Sequence, residues 1–356
     1  MHKQLFIPGP VDVRPDVLEK MSTPMIGHRG NDCSELQKGI SEKIQKVFQT
    51  ENTIVLSTSS GSGLMESAIR CCTSKKAAVF SVGAFGDRWY KMATANGKPA
   101  DKFRYDFGQA VNLDDVEKAL ATNEYDLIAV THNETSSGVM NPIGEIGKIV
   151  AKYPDVVFCI DSVSSMGGVS IPVDEWNVDF CITSTQKSLG LPPGLSIASV
   201  SEKAYERAKT VTNRGLYFDI VEIYDKVKKN YQYPSTPSLS HMFALDYQLD
   251  YMLNVEGLEN RWARHAEMAA YVQDWARKYF KLFADENYLS QTVTCIENTR
   301  GISIADLNKE LGKRGMQISN GYGDLKEKTF RIAHMADTTM EDIVKVTDAI
   351  VDILGL

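Results

Sequence analysis

The sequence predicts an α/β fold: a large domain with a mostly parallel mixed sheet flanked by helices, followed by a smaller α+β C-terminal domain. Three observations carry this prediction. From residue 53 to about residue 200, short apolar runs alternate with helical patterns, as in a sheet covered on both faces. Two of the runs, VVFCID at 156–161 and VDFCIT at 178–183, are mainly apolar and stop on polar residues, as buried parallel strands do. Past Gly257 the pattern shifts to amphipathic helices with little strand. The expected boundaries are an N-terminal arm at 1–15, a large domain at 16–255 and a small domain at 256–356.

Taken in order, Phe6-Ile7-Pro8-Gly9-Pro10 is stiff and extended, because Pro10 also restricts the residue before it. Residues 11–50 read as helical segments, with Leu36, Ile40, Ile44, Val47 and Phe48 giving 34–48 an apolar face. Between them, 25–30 is a loop carrying His28 and Arg29. A strand at 53–57 runs into Thr58-Ser59-Ser60-Gly61-Ser62-Gly63 and then a helical stretch, LMESAIRCC. Glycines that admit a close approach, followed by a helix start, suit an anion; plain N-capping by Ser60 or Ser62 explains the same residues. After the strand at 77–82, Gly83-Ala84-Phe85-Gly86 places an aromatic among small residues at a strand end. A helix at 114–120 and a buried strand at 127–131 lead into His132-Asn133-Glu134-Thr135-Ser136-Ser137-Gly138, polar enough to serve a site or cap a helix. Helices at 240–253, 258–280, 304–314 and 339–354 and a strand at 329–333 complete the reading.

The chemistry centres on Asp161 and Lys187. Asp161 ends one buried strand, at the carboxyl edge where open α/β sheets place ligands. Lys187 follows the next, in STSTQKSLGLPP, before a segment that cannot be regular helix. Partial burial lowers a lysine's pKa and frees its amine to form an imine; the aspartate would hold a pyridinium nitrogen. That pair is what pyridoxal 5'-phosphate (PLP) requires, although a solvated lysine and a helix-capping aspartate would look the same. Arg331 alternates with Phe330 and Ile332 across a strand, so it faces away from them, toward a substrate carboxylate or toward a solvated ion pair.

From FIPGP to FRIAHM, and most densely over CIDSVSSMGGVSIPVDEWNVDFCITSTQKSLGLPPGLSIASVS, the chain resembles the class V aminotransferases, within them the alanine–glyoxylate / serine–pyruvate aminotransferase group. The resemblance implies the seven-stranded sheet of fold type I PLP enzymes. It implies that Ser60, Gly61 and Ser62 hold the cofactor phosphate, that Phe85 stacks on the pyridine ring and that Ser136 bonds the ring oxygen. Val163 and Gln186 join Asp161 and Lys187 around the cofactor. Tyr233 and Thr236 reach the phosphate of the other subunit, in a homodimer with shared active sites. Arg331 and Gly9 border the substrate, and His28 and Arg29 lie near the partner's site. The lysine itself moves the proton, so His132 stands behind the site. The implied reaction passes an amino group from alanine or serine to glyoxylate or pyruvate, with aspartate or 2-aminoethylphosphonate–pyruvate transfer as the alternative. A desulfurase-like lyase would need a nucleophilic cysteine near the C-terminal domain, where only Cys295 stands. A non-catalytic binder on this fold would lack the lysine or the phosphate loop; both are present.

Composition agrees with an enzyme of small molecules. The chain has 356 residues, 43% hydrophobic and 24% charged, with net charge −7. That sign argues against nucleic acid and anionic membranes as partners. No run approaches the length of a membrane span, and MHKQLFIPGP lacks a signal-peptide core, so a cytoplasmic location is expected. The six cysteines form no CxxC pair and read as free thiols.

Overall fold

A computed structural model describes residues 2–356. Its large sheet has seven strands in the order Thr53–Ser57, Ser196–Val200, Phe180–Ser184, Val157–Asp161, Leu127–Thr131, Ala77–Ser81 and Ala100–Arg104. Only Ser196–Val200 runs antiparallel to its neighbours. The five middle strands are buried along their whole length, which is why they read as mostly apolar runs broken only by small serine and threonine residues or ended by Asp161. Thr131 pairs with Asp161 and Asp161 with Ile182, so the strands bearing the site end level with one another.

A second sheet, in the order Gln4–Phe6, Met316–Asn320, Thr329–Ala333, Val293–Glu297 and Lys281–Leu282, has its own apolar cluster. That cluster joins Phe6, Ile296, Phe330 and Ile332 to the helices Leu258–Tyr279, Ile304–Lys313 and Met340–Leu354. The last of these starts at a capping box formed by Thr339 and Asp342. The expected N-terminal arm is therefore tied down: Gln4–Phe6 pairs parallel with Met316–Ile318, and Pro15–Lys20 is already helix.

One local reading is corrected and another is extended. The helix after the Ser/Gly loop starts at Gly61 rather than Leu64, which places Gly61 and Ser62 in its first turn. The strand end at 83–86 is at the same time a helix start, because Ala84–Ala95 is helix and Phe85 lies in its first turn. The N–H groups of Phe85 and Gly86 donate to the Glu134 carboxylate, and that of Ala84 to Ser136 Oγ, so this helix is capped from about fifty positions away. The helix Leu239–Asp250 continues into a π-helical turn, Tyr251–Glu256, and stops at Gly257. All six cysteines are free and buried.

Candidate active site

Lys187 sits in the turn after Phe180–Ser184, and the Gly190 N–H donates to its carbonyl at 2.9 Å. Its Nζ donates to the Pro8 carbonyl. Gly9 lies so close that a Cβ there would meet Lys187 Cδ at 2.5 Å, and its φ of +85° also favours glycine. The extended N-terminal segment thus covers the amine with backbone. Burial is the main cause that brings the Lys187 amine down to about 8; Arg331 and Arg88 add to it, while Asp161 opposes it. Burial likewise pushes the Asp161 carboxyl up to about 6, against the pull of the Val163 N–H, which donates to Oδ1 at 2.8 Å.

Both groups line one cavity of about 200 Å³. At its edge, the helix Gly61–Cys72 begins with no side-chain cap on Ser60, so the capping explanation of the serines fails there. A Cβ on Gly61 would strike Val163 Cγ2 at 2.7 Å, so only glycine lets this turn press against the wall. The N–H groups of Gly61 and Ser62 are left for an anion, that of Gly63 being taken by the Ser60 carbonyl. Ser62 Oγ accepts from Arg88 Nη1 at 2.9 Å. Phe85, Val163 and Gln186 also border the space. Ser184 Oγ and Gln186 Oε1 are buried there without a protein partner.

Arg88 was not singled out from the sequence. It lies one helical turn after Phe85, with its guanidinium 4.9 Å from that ring, a pairing that becomes legible only once 84–95 is known to be helix. Ser136 is a correction. Its hydroxyl donates to Glu134 and accepts from Ala84 N–H, and it does not line the cavity; Thr135 does. Both residues lie in the turn joining Asn133–Glu134 to Val139–Met140, where the bonds to Glu134 and Ala84 hold the Ser136 hydroxyl at the helix start. His132 is buried behind the site. Its Nδ1 lies 2.9 Å from Ser165 Oγ, its ring packs edge-on against Trp176, and burial alone lowers it to about 4.

Arg331 is buried and lacks a carboxylate partner: Nε and Nη2 donate to the Asn320 carbonyl and Nη1 to that of Thr135. The solvated ion-pair reading is therefore overturned. A fixed cation held by carbonyls and close enough to depress the Lys187 amine has the geometry and charge to suit an anion. Tyr233 and Thr236 are not brought to Lys187 within the chain. They border a small separate cavity with Leu56 and Tyr217, and the Tyr233 hydroxyl is buried without a partner. Arg29, paired with His28 in the sequence reading, donates to the carbonyls of Tyr233 and Pro234 and so holds that loop.

With this geometry in hand, the family profile described as "Aminotransferase class-V" matches residues 18–346. The chain belongs to the class-V aminotransferases. An uncharacterized aminotransferase of Methanocaldococcus jannaschii is 38% identical, over 94% of this chain and 88% of its own. The serine–glyoxylate aminotransferase of Methylorubrum extorquens is 32% identical, over 94% and 86%. Among solved structures, the alanine–glyoxylate aminotransferase of Nostoc sp. superposes with a TM-score of 0.93, at 25% identity over 99% of this chain and 96% of that one. The architecture is that of the fold type I PLP transferases. As a class-V aminotransferase, the chain carries residues that fit PLP. An uncapped helix start suits its phosphate, a buried carboxylate its ring nitrogen, and orphaned polar atoms line the space between.

Proposed function

We propose that this chain is a PLP-dependent aminotransferase that passes the amino group of a small amino acid, alanine or serine, to glyoxylate or pyruvate. The observation that carries the reading is the enclosure of Lys187 and Asp161 in one buried cavity with an uncapped helix N-terminus. When bound, PLP supplies an electrophilic carbon and an electron sink. Asp161, ionised above about pH 6, would hold the charge of the protonated ring nitrogen. The N–H groups of Gly61 and Ser62 would bind the phosphate, with Arg88 beside them. Phe85 and Val163 would orient the ring. Lys187 Nζ, neutral above about pH 8, leaves the Pro8 carbonyl and moves the substrate proton. Arg331 binds the α-carboxylate through a planar fork. Pro8 and Gly9 exclude water above the amine.

The proposal extends to a homodimer in which Tyr233 and Thr236 reach the phosphate of the partner's site. The exposure of Thr236, on a loop held in place by Arg29, supports it. A desulfurase-like reaction finds no nucleophile, because Cys295 is buried in the strand Val293–Glu297 and burial pushes its thiol up to about 11. Two measurements test the reading. Borohydride reduction of the PLP-loaded protein should leave a stable label on Lys187; a label on another lysine, such as Lys203, overturns the assignment. Donor profiling should place alanine or serine first; a profile led by aspartate or 2-aminoethylphosphonate overturns the substrate pair and leaves the chemistry standing.

A further inference from the structure

Tyr322 stands where the two sheets face each other, and none of the chemistry above uses it. Its ring is 41% exposed, yet it is held in place. The ring centroid lies 5.4 Å from that of Phe85, at an interplanar angle of 40°. Its other contact is Arg331, whose Cζ lies 5.7 Å from the Tyr322 centroid. The ring therefore bridges the aromatic wall of the lysine cavity and the buried cation.

The loop that carries it is part of the Arg331 assembly. The Asn320 carbonyl accepts two N–H bonds from Arg331, and Asn320 Oδ1 accepts the N–H groups of Gly321 and Glu327. The turn Gly323–Leu325 then closes back toward Thr329–Ala333. Tyr322 is thus fixed relative to Arg331 by short covalent and hydrogen-bonded paths. Beyond it lies an outer cavity of about 300 Å³, bordered by Tyr322, Arg104 and Phe107. Arg88 borders both this space and the lysine cavity.

Resting on the reading that Arg331 takes the α-carboxylate and Lys187 the amino end, a substrate is anchored at two points. Its side chain is the one part left free to turn toward solvent, past the Phe85–Tyr322 pair. We infer that Tyr322 is the specificity-determining residue of this site, an outer wall that limits the donor to a short side chain. Removing the ring opens the inner space into the outer cavity and admits longer aliphatic side chains.

The test compares wild type, Tyr322→Phe and Tyr322→Ala on a homologous series of donors: alanine, serine, 2-aminobutyrate and norvaline, with glyoxylate as acceptor. In Tyr322→Ala the kcat/KM ratio of norvaline to alanine should rise by about tenfold or more, since a single methylene in a pocket is worth about 10–200-fold. Most of the gain should fall in KM. Tyr322→Phe keeps the ring and should leave the ratio unchanged. A second readout needs no turnover: the dissociation constants of acetate, propionate and pentanoate, followed by intrinsic fluorescence of the PLP-loaded protein, should shift in the same order. A parallel change for every donor, or equal effects of Tyr322→Phe and Tyr322→Ala, overturns the inference. Should Tyr322→Ala fail to fold, Tyr322→Val carries the same comparison. Wild-type indifference to both alanine and serine would instead sink the functional reading. The role of Tyr322 would then be decided by the carboxylate series alone.

Discussion

Replacing Asp161 by asparagine should stabilise the cofactor-free protein. The carboxyl is 4% exposed and its pKa is raised, chiefly by burial, from 3.8 to about 6. Between those values the folded chain holds a proton that the unfolded chain has released, so folding stability falls as pH rises through that window. Each tenfold step in a proton equilibrium is about 1.4 kcal/mol, so the full cost above pH 6 is about 3 kcal/mol. Asparagine removes the charge but keeps Oδ1 as the acceptor for Val163 N–H. The gain from Asp161→Asn should be about 3 kcal/mol at pH 7.5 and about 1 kcal/mol at pH 4.5, where most of the folded wild-type carboxyl is already neutral. Urea unfolding of the two cofactor-free proteins at both pH values measures it. PLP affinity should move the other way, weakening by about tenfold or more, because a neutral amide cannot hold a pyridinium charge. A variant no more stable than wild type at pH 7.5, or a difference independent of pH, would refute the claim that Asp161 is a buried charge kept for a ligand.

The same geometry makes four further claims. Labelling of Lys187 by PLP and borohydride should slow about tenfold per pH unit below about pH 8 and level off above it, since only the neutral amine reacts; a rate still climbing tenfold per unit up to about pH 10, as for a solvated lysine, would contradict the burial of the amine. Arg331→Lys keeps the charge and loses the fork, so kcat/KM for the amino donor should fall by about 2–3 kcal/mol with PLP content unchanged. Gly9→Ala puts a Cβ against Lys187 at a positive φ and should cost about 1–3 kcal/mol of stability while slowing the labelling of the lysine. Mixed subunits of Lys187→Ala and of the double variant Tyr233→Phe, Thr236→Val should regain partial activity; no recovery after proven subunit exchange counts against a shared site.

The strands ending at Asp161 and Ser184 were legible because burial on both faces writes a mainly apolar run into the sequence. The edge strand Ala100–Arg104 was not, since its half-exposed residues ADKFR carry no such run. Helix Ala84–Ala95 escaped for another reason. Gly83 offers no local cap, and the carboxylate that serves the helix start is Glu134, brought there only by the fold. The same event separates Thr135 from Ser136. Two adjacent hydroxyls are interchangeable in a string, and only the folded turn, with Ser136 tied to Glu134 and Ala84, decides which faces the cavity. Arg331 illustrates the limit from the other side: its strand was readable, but the lack of a counter-ion is a property of space.

The placement of Gln4–Phe6 has a consequence for how the molecule is made. That strand lies against Met316–Ile318, and the Gln4 side chain reaches Asp342, 338 positions further along. The large sheet closes with partners drawn from residues 53 to 200, whereas this pairing spans nearly the whole polypeptide. During synthesis the inner sheet can assemble while the edge strand still waits for its partner to leave the ribosome. Pro8 and Gly9, which cover Lys187, are leashed to that waiting strand. The nascent protein therefore passes through a stage in which the Lys187 amine stands uncovered beside a completed large sheet. The order in which the amine is covered is set by contact distance along the chain.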